Sequence, residues 1–186
     1  MKFEADIINF LQTNISTSWI TFFQIITMFG SYLGFFISFI IIFVKNKKLS
    51  LFFAVTFVLG SLINQFLKFM ISRDRPFVTY DYIENYGKED GSSFPSGHSV
   101  CGGMFASFLC YHLFCQCKDR WTRGLGCSAF ALMAGLIAFS RMVLGVHYIS
   151  DVIVGIILGI LFAILGIWLY NTSERKTFKT GNNTRR

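Results

Sequence analysis

Apolar residues in this chain gather into long stretches that short polar clusters separate. Five stretches reach or approach the roughly 20 apolar residues that a helix needs to cross a bilayer. They run over about 19–44, 49–70, 99–115, 124–144 and 149–170, and the third is the shortest. The pattern therefore predicts an all-α fold, a polytopic transmembrane helical bundle of five spans in a single domain over residues 1–186.

The segment before the first stretch, residues 1–18, has a different pattern. Apolar residues recur there at four-residue steps among polar ones: Phe3, Ile7, Leu11 and Ile15. This spacing favours an amphipathic helix that lies in the membrane interface. Glu4 and Asp6 stand where a signal peptide would need its apolar run, so we expect no cleavable signal sequence.

Composition agrees with a membrane protein. Hydrophobic residues make up 53% of the 186 residues and charged residues only 15%, which is too few charges to solvate a globular surface. The net charge of +7 fits loops that meet anionic lipid, and nucleic-acid binding is not expected. The five cysteines lack the paired spacing of a zinc site. No metal or other cofactor is predicted.

The basic residues predict an orientation. They cluster in 45–48, in 118–123 and in a tail over 171–186 that includes Lys179, Arg185 and Arg186. Because cytoplasmic loops retain lysine and arginine, we expect these three regions inside the cell, with the N-terminus outside and the C-terminus cytoplasmic. The polar loop 71–97 and the junction between the last two stretches then lie on the extracytoplasmic face.

His147 and Asp151, four residues apart at that junction, are the first candidates for chemistry. On a helix these positions share a face, so the carboxylate would hold one imidazole nitrogen and leave the other basic. The imidazole is therefore a candidate nucleophile.

Three cations supply what such a nucleophile would need to act on phosphate. Lys68 and Arg75 are seven residues apart, which is two turns if the helix persists. Pro76 disfavours helical geometry at Arg75, so we expect the chain to turn there. Arg141 lies nearly two helical turns before His147, and its guanidinium suits two phosphate oxygens at once. All three would point at one anion.

The string Pro95-Ser96-Gly97-His98 opens the third stretch. A helix start presents free backbone N–H groups, Ser96 adds a capping hydroxyl, and Gly97 allows close approach of an anion. His98, just inside the helix, is placed to protonate a leaving oxygen while His147 attacks from the opposite side.

Each piece taken alone has a plainer interpretation. A Pro-Ser-Gly-His string is also an ordinary helix cap, and a histidine four residues from an aspartate is more often structural than catalytic. The joint occurrence of the motifs on one predicted face favours the functional interpretation. His112, deep in the third stretch with no acidic neighbour in sequence, is interpreted as structural.

The three motifs together carry a family resemblance. Lys68 to Pro76 matches Lys-x6-Arg-Pro, Pro95 to His98 matches Pro-Ser-Gly-His, and Ser140 to Asp151 matches Ser-Arg-x5-His-x3-Asp. This order resembles the signature of the type 2 phosphatidic acid phosphatase (PAP2) superfamily, which includes vanadium haloperoxidases. The chain looks most like its small bacterial membrane lipid phosphatases.

The resemblance implies roles for these residues. It implies metal-independent hydrolysis through a phosphohistidine on His147, with Asp151 orienting that ring and His98 as the general acid. It further implies that the phosphate is bound by five residues, Lys68, Arg75, Ser96, Gly97 and Arg141.

The substrate stays open at this point. Undecaprenyl diphosphate, phosphatidylglycerol phosphate and phosphatidic acid all carry a terminal phosphate on an apolar tail, and a small outward-facing enzyme favours the first. A lipid phosphotransferase is the alternative enzyme, and an anionic-lipid transporter or scaffold is the alternative from another class. The membrane bilayer is the expected partner, and the sequence leaves the oligomeric state open.

Overall fold

The computed structural model describes residues 2–183, with side chains described as far as residue 177. Within that range the chain forms helices and no strand. The helices are α1 (Lys2–Asn14), α2 (Thr17–Met28), α3 (Tyr32–Lys45), α4 (Lys47–Ile71), α5 (Pro76–Thr79), α6 (Gly97–Gln116), α7 (Arg120–Val143) and α8 (Ile149–Asn183). The prediction of an all-α fold is confirmed. Of the predicted basic tail, Arg185, Arg186 and the side chain of Lys179 lie outside the described residues.

The predicted count of five spans is not confirmed. Among the described residues, three helical segments are long and apolar enough to cross a membrane: Lys47–Thr79, Arg120–Val143 and Ile149–Thr177. A fourth span results if α2 and α3 are counted together, although they are bent by 48° at the break between them. The predicted first span is therefore a bent pair, and α3 alone, with 14 residues, rises only about 21 Å.

The third predicted span, α6, occupies the centre of the bundle. It contacts α3, α4, α7 and α8, and its buried aromatic residues Phe105 and Phe108 pack with Phe53 of α4. Gly155 and Gly159 let α8 approach α6 closely, because a Cβ at Gly159 would collide with the carbonyl oxygen of Val100. This close approach, expected of glycines spaced by four, fixes where α8 starts relative to α6.

The bundle has two chemically different ends. At one end the start of α4 meets the end of the apolar part of α8, where Lys48 forms a 2.6 Å ion pair with Glu174 and Asn46 donates to the Tyr170 hydroxyl at 2.9 Å. Lys68 and Asp151 belong to the opposite ends of these two helices. The candidate site and the basic turn at 45–48 are therefore at opposite ends.

The N-terminal helix α1 packs on the site end. Its buried residues Ala5 and Ile8 contact Ile83 of the loop and Tyr148 next to the site. Phe3 is 75% exposed, so the face that packs is shifted from the predicted four-residue stripe. The helix is confirmed, and its placement in a membrane interface stays a prediction.

Candidate active site

His147 and Asp151 come together, but not on one helix as the spacing predicted. Gly145 adopts a φ of +75°, so the chain turns after α7, and α8 begins only at Ile149. His147 therefore precedes the helix, while Asp151 occupies its first turn and accepts a 2.9 Å hydrogen bond from the backbone N–H of Tyr148. The Asp151 Oδ2 lies 3.5 Å from Nδ1 of His147, which is longer than an ordinary N–H···O bond.

A chain of charges continues behind Asp151. Arg73 donates to Asp151 Oδ1 at 2.6 Å, pairs with Glu4 of α1 at 3.3 Å, and lies 4.1 Å from the ring centroid of Tyr148. The other Glu4 oxygen accepts the backbone N–H of Ser150 at 2.8 Å. Asp151 thus lies beside a cation that α1 helps to hold, and this arrangement orients the residue next to the candidate nucleophile.

Arg75 and Arg141 reach the other side of His147. Arg75 Nη1 lies 3.5 Å from His147 Nε2 and donates to the backbone carbonyl of Val146 at 3.0 Å. Arg141, in the last turn of α7, donates to the Thr27 hydroxyl at 2.6 Å and also contacts Glu89. Both guanidiniums are nearly fully buried, a placement that requires an anionic partner.

Lys68 lines the same cavity as Arg75 and His147. The non-helical geometry expected at Arg75 is confirmed, since that residue is extended. Helix α4 ends earlier, at Ile71, where Ser72 adopts a left-handed conformation. The Lys68 ammonium donates to the backbone carbonyl of Ser92 at 2.6 Å, so this cation is held against the loop.

The start of α6 is built largely as predicted. Ser96 is the N-cap, and its hydroxyl oxygen accepts from the backbone N–H of Ser99 at 3.4 Å and from the Ser99 hydroxyl at 3.0 Å. That hydroxyl is buried and engaged inside the helix start, whereas Gly97 and His98 line the cavity. The structure thus brings Gly97 and His98, rather than the Ser96 side chain, to the open space.

One carboxylate joins these groups. Glu89, in the loop before α6, pairs through Oε2 with Arg75 at 3.0 Å and through Oε1 with Arg141. Its Oε1 also lies 3.5 Å from His98 Nδ1, and its Oε2 lies 3.8 Å from His147 Nε2. Both histidines and both arginines of the site therefore face a single anion.

This environment shifts the pKa values of Glu89 and His147. Burial alone would raise the pKa of Glu89, but its cationic neighbours, Arg141 first, lower that pKa to about 2. Burial, together with Arg141 and Arg75, lowers the pKa of His147 well below its usual value. Glu89 is thus an anion and His147 a neutral base near neutral pH.

An open cavity of about 880 Å³ leads away from this cluster. The polar side chains of Lys68, His98 and His147 line it, and so do apolar side chains of α3 and α4, namely Tyr32, Phe57, Val58, Leu62 and Phe69. Such a cavity has room for a polar headgroup against the cations and for part of an apolar chain beyond it.

Sequence reasoning missed three residues that the fold brings to this site. Glu89 sits among exposed acidic residues of the loop, and Glu4 lies in a segment that resembled a surface helix. Arg73 is inside the first motif at a position that the motif leaves unspecified. The buried cations were the available signal, because Arg75 and Arg141 need a counter-ion, but their partners could not be assigned without the fold.

Within the described residues, no group of three or more histidine, cysteine, aspartate or glutamate side chains is arranged to hold a metal ion. All five cysteines are free thiols. Independence from metals stays a prediction.

Comparisons with known proteins agree with the geometry. The family model described as "PAP2 superfamily" matches residues 49–175, a range that contains all three motifs. An undecaprenyl-diphosphatase of Sulfolobus acidocaldarius is 28% identical over 139 residues, which cover 74% of this chain and 63% of that protein. A lipid A 1-phosphatase of Rhizobium johnstonii is 36% identical over 121 residues, covering 62% of this chain and 44% of the relative.

The fold is shared with a solved structure. The crystal structure of a transmembrane PAP2-type phosphatidylglycerolphosphate phosphatase from Bacillus subtilis superposes with a TM-score of 0.76 at 26% identity, covering 92% of this chain and 86% of that one. The chain spans between 44% and 63% of the length of the two relatives above. With a family match over most of its length and the three motifs gathered around one anion position, this chain belongs to the PAP2 superfamily.

Proposed function

We propose that this protein hydrolyses a lipid phosphate or diphosphate at the outer membrane face, through a phosphohistidine intermediate on His147. The observation that carries the proposal is the convergence of two histidines and two arginines on one anion position. Phosphoryl transfer depends mainly on positioning and on stabilising charge on the phosphate oxygens. The cluster supplies both.

The first chemical step uses the two histidines in opposite roles. His147 presents Nε2 to the anion position and Nδ1 to Asp151, so the Nε2 lone pair attacks phosphorus and the bond from phosphorus to the leaving oxygen breaks. Burial, together with Arg141, lowers the pKa of His98 to about 4 in the free protein, so His98 takes up a proton from solvent when the dianionic phosphate binds beside it. It gives that proton to the leaving oxygen, and the lipid product departs. Asp151 stabilises the positive charge that the His147 ring gains.

The second step returns the enzyme to its starting state. His98, now neutral, takes a proton from water as the water oxygen attacks phosphorus, and the bond from phosphorus to His147 breaks. Inorganic phosphate then leaves the position between Arg75 and Arg141, whose charges stabilise its oxygens during the reaction. Lys68 and the backbone of Gly97, at the start of α6, add positive charge and N–H donors on the cavity side.

The proposed orientation is supported by the separation of charges along the bundle. The basic turn at 45–48 and Glu174 lie at one end of the helical bundle, and the candidate site lies at the opposite end. Because basic loops stay in the cytoplasm, the site faces outward and the tail inward. Labelling of single cysteines in intact cells, one at exposed Lys88 and one at Lys47, tests this, and cytoplasmic protection of position 88 would reverse the orientation.

Undecaprenyl diphosphate is the substrate that we propose first. The cavity accepts an apolar chain next to the cations, and one relative is an undecaprenyl-diphosphatase. Other relatives are named for lipid A 1-phosphate and phosphatidylglycerolphosphate, which supports phosphatidylglycerol phosphate as a competing substrate. Phosphatidic acid is the third candidate, because it also carries a terminal phosphate on an apolar tail.

Phosphate release from purified protein in detergent with EDTA tests the function. Wild type, His147→Ala and the matched control His112→Ala are assayed on undecaprenyl diphosphate, phosphatidylglycerol phosphate and phosphatidic acid. We expect release by wild type and by the control, with no release by His147→Ala. A strict requirement for a divalent metal would contradict the mechanism, and release by none of the proteins on any lipid would favour a transferase or a lipid-binding protein.

A further inference from the structure

The carboxylate of Glu89 occupies a position that the proposed reaction needs for phosphate. Its two oxygens lie within 3.0–3.8 Å of Arg75, His98 and His147 and also contact Arg141. A phosphorus atom in line for attack must approach His147 Nε2 to about 3–3.5 Å. Phosphate oxygens and the Glu89 carboxylate cannot both hold that place, because they would use the same donors and repel one another.

The same contacts explain why the carboxylate is there in the free protein. The side chains of Arg75 and Arg141 are only 4% and 1% exposed, and a buried cation without a partner is strongly destabilising. Since the pKa of Glu89 is about 2, this carboxylate stays ionised throughout the physiological pH range. Protonation therefore does not release Glu89 from the arginines, and substrate must displace the carboxylate by competing for the same donors.

The backbone around Glu89 is fixed while its side chain has room to leave. Arg75 holds the neighbouring carbonyls, donating to Asp90 at 2.9 Å and to Gly91 at 3.0 Å. Glu89 itself lines the open cavity and its side chain is 26% exposed. Rotation of the side chain toward the cavity clears the site without unfolding the loop.

We propose that Glu89 is an internal anion that fills the phosphate position of the empty site and that substrate must displace, which makes it a specificity-determining residue. This inference rests on the proposed function. A terminal phosphate brings nearly two negative charges and three free oxygens, and it replaces a carboxylate with one charge and two oxygens. A phosphodiester brings one charge and two free oxygens, so it gains nothing over Glu89.

The consequence concerns the surrounding bilayer. Most phospholipids are phosphodiesters, and their headgroups are present at high local concentration beside the cavity. With Glu89 in place, the site rejects them and remains available to lipids that end in a phosphate. Without that carboxylate, the cations would bind phosphodiesters as inhibitors.

Binding of two soluble probes tests the proposal independently of turnover. Thermal unfolding in detergent and phosphate-free buffer is followed while inorganic phosphate or dimethyl phosphate is added. The proteins are wild type, Glu89→Gln, the shorter Glu89→Asp, and Glu84→Gln as a matched control at an exposed position of the same loop.

We expect Glu89→Gln to unfold at a lower temperature than wild type without ligand and to recover when phosphate is added. Its apparent affinity for phosphate should rise about tenfold, which corresponds to about 1.4 kcal/mol. Dimethyl phosphate should stabilise Glu89→Gln and not wild type. Glu89→Asp should have an apparent phosphate affinity between those of wild type and Glu89→Gln, and Glu84→Gln should behave as wild type does.

Two results would overturn the inference in distinguishable ways. If wild type binds phosphate and Glu89→Gln gains no affinity, or loses stability that phosphate does not restore, Glu89 is only a structural counter-ion and the proposed function stands. If no form of the protein binds phosphate, the phosphate site itself is wrong and both proposals fall.

Discussion

The two histidines of the site are held in opposite ways. His147 is 1% exposed and lies between Asp151 on one side and Arg75 on the other. Behind it, Asp151, Arg73 and Glu4 link the start of α8 to the loop and to α1. His98 is 24% exposed, lines the cavity, and has as its anionic neighbour a glutamate that can move.

The difference follows from the two tasks. A nucleophile must be aimed at phosphorus with little freedom, so burial and a fixed carboxylate suit it. A group that gives a proton to one leaving group and later takes one from water must meet both of them, so it needs the open side. We therefore expect mutations around His147 and mutations around His98 to have different effects on activity.

Among the changes that leave His147 in place, Asp151→Asn should have the largest effect, because it weakens the hold on His147 and leaves Arg73 without its buried anion. Replacing the aspartate of a comparable catalytic triad by asparagine lowers kcat by about 10⁴-fold. We expect a loss of that order on every substrate. Steady-state phosphate release measures it, and Asp81→Asn, at an exposed loop position, is the control. A loss below tenfold would remove Asp151 from the mechanism.

His98→Ala should lose about 10³-fold on lipid substrates, within the 10²- to 10⁴-fold range for general acids and bases. The effect should depend on the leaving group, because p-nitrophenolate departs without a proton. A burst of p-nitrophenolate from p-nitrophenyl phosphate should therefore survive in His98→Ala and be absent from His147→Ala. Loss of the burst in both variants would mean that the roles are not divided as proposed.

Glu4→Gln should have a smaller effect, since it acts on His147 only through Arg73 and Asp151. Removing one charged hydrogen-bond partner typically costs about 1.5–3 kcal/mol, and we expect a lower unfolding temperature with a several-fold fall in kcat. KM should be unchanged, because Glu4 does not line the cavity. Asp6→Asn, on the same helix, is the control, and an altered KM with unchanged kcat would place Glu4 in substrate binding.

The smallest expected effect is on stability at low pH. Burial and the nearby arginines lower the pKa of His147 in the folded protein, while in the unfolded chain it is about 6.5. The unfolded state therefore binds the extra proton first, and folding loses about 1.4 kcal/mol per pH unit below about pH 6.5. Unfolding of wild type and His147→Gln between pH 7.5 and 5.5 tests this. Equal pH slopes in the two proteins would contradict it.

Much of the site could be predicted because local patterns carry it. The start of α6 at Gly97 with Ser96 as its cap follows from the Pro-Ser-Gly-His string alone. Pro76 correctly indicated that Arg75 is not helical, although α4 ends earlier, at Ile71. The prediction that His147 and Asp151 share one helix is wrong. Gly145, a residue at positive φ, follows the end of α7, and α8 begins two residues after His147.

The remaining parts depend on contacts between distant segments. Glu4 and Arg73 are 69 residues apart in sequence, and nothing in either segment indicates the other. The bend between α2 and α3 places Gly30 against His98, whereas hydropathy alone reads 19–44 as continuous. Hydropathy detects apolar length, but it does not detect how helices break around a site.

Trapping of the covalent intermediate tests the central proposal most directly. His98→Ala is mixed with p-nitrophenyl phosphate, quenched in alkaline denaturant, and its peptides are weighed by mass spectrometry. Since the second step lacks its base, we expect one phosphoryl group on the peptide that contains His147 and none in the double variant with His147→Ala. Release of p-nitrophenolate with no phosphorylated peptide, or with the phosphoryl group on another residue, would contradict a phosphohistidine mechanism at His147.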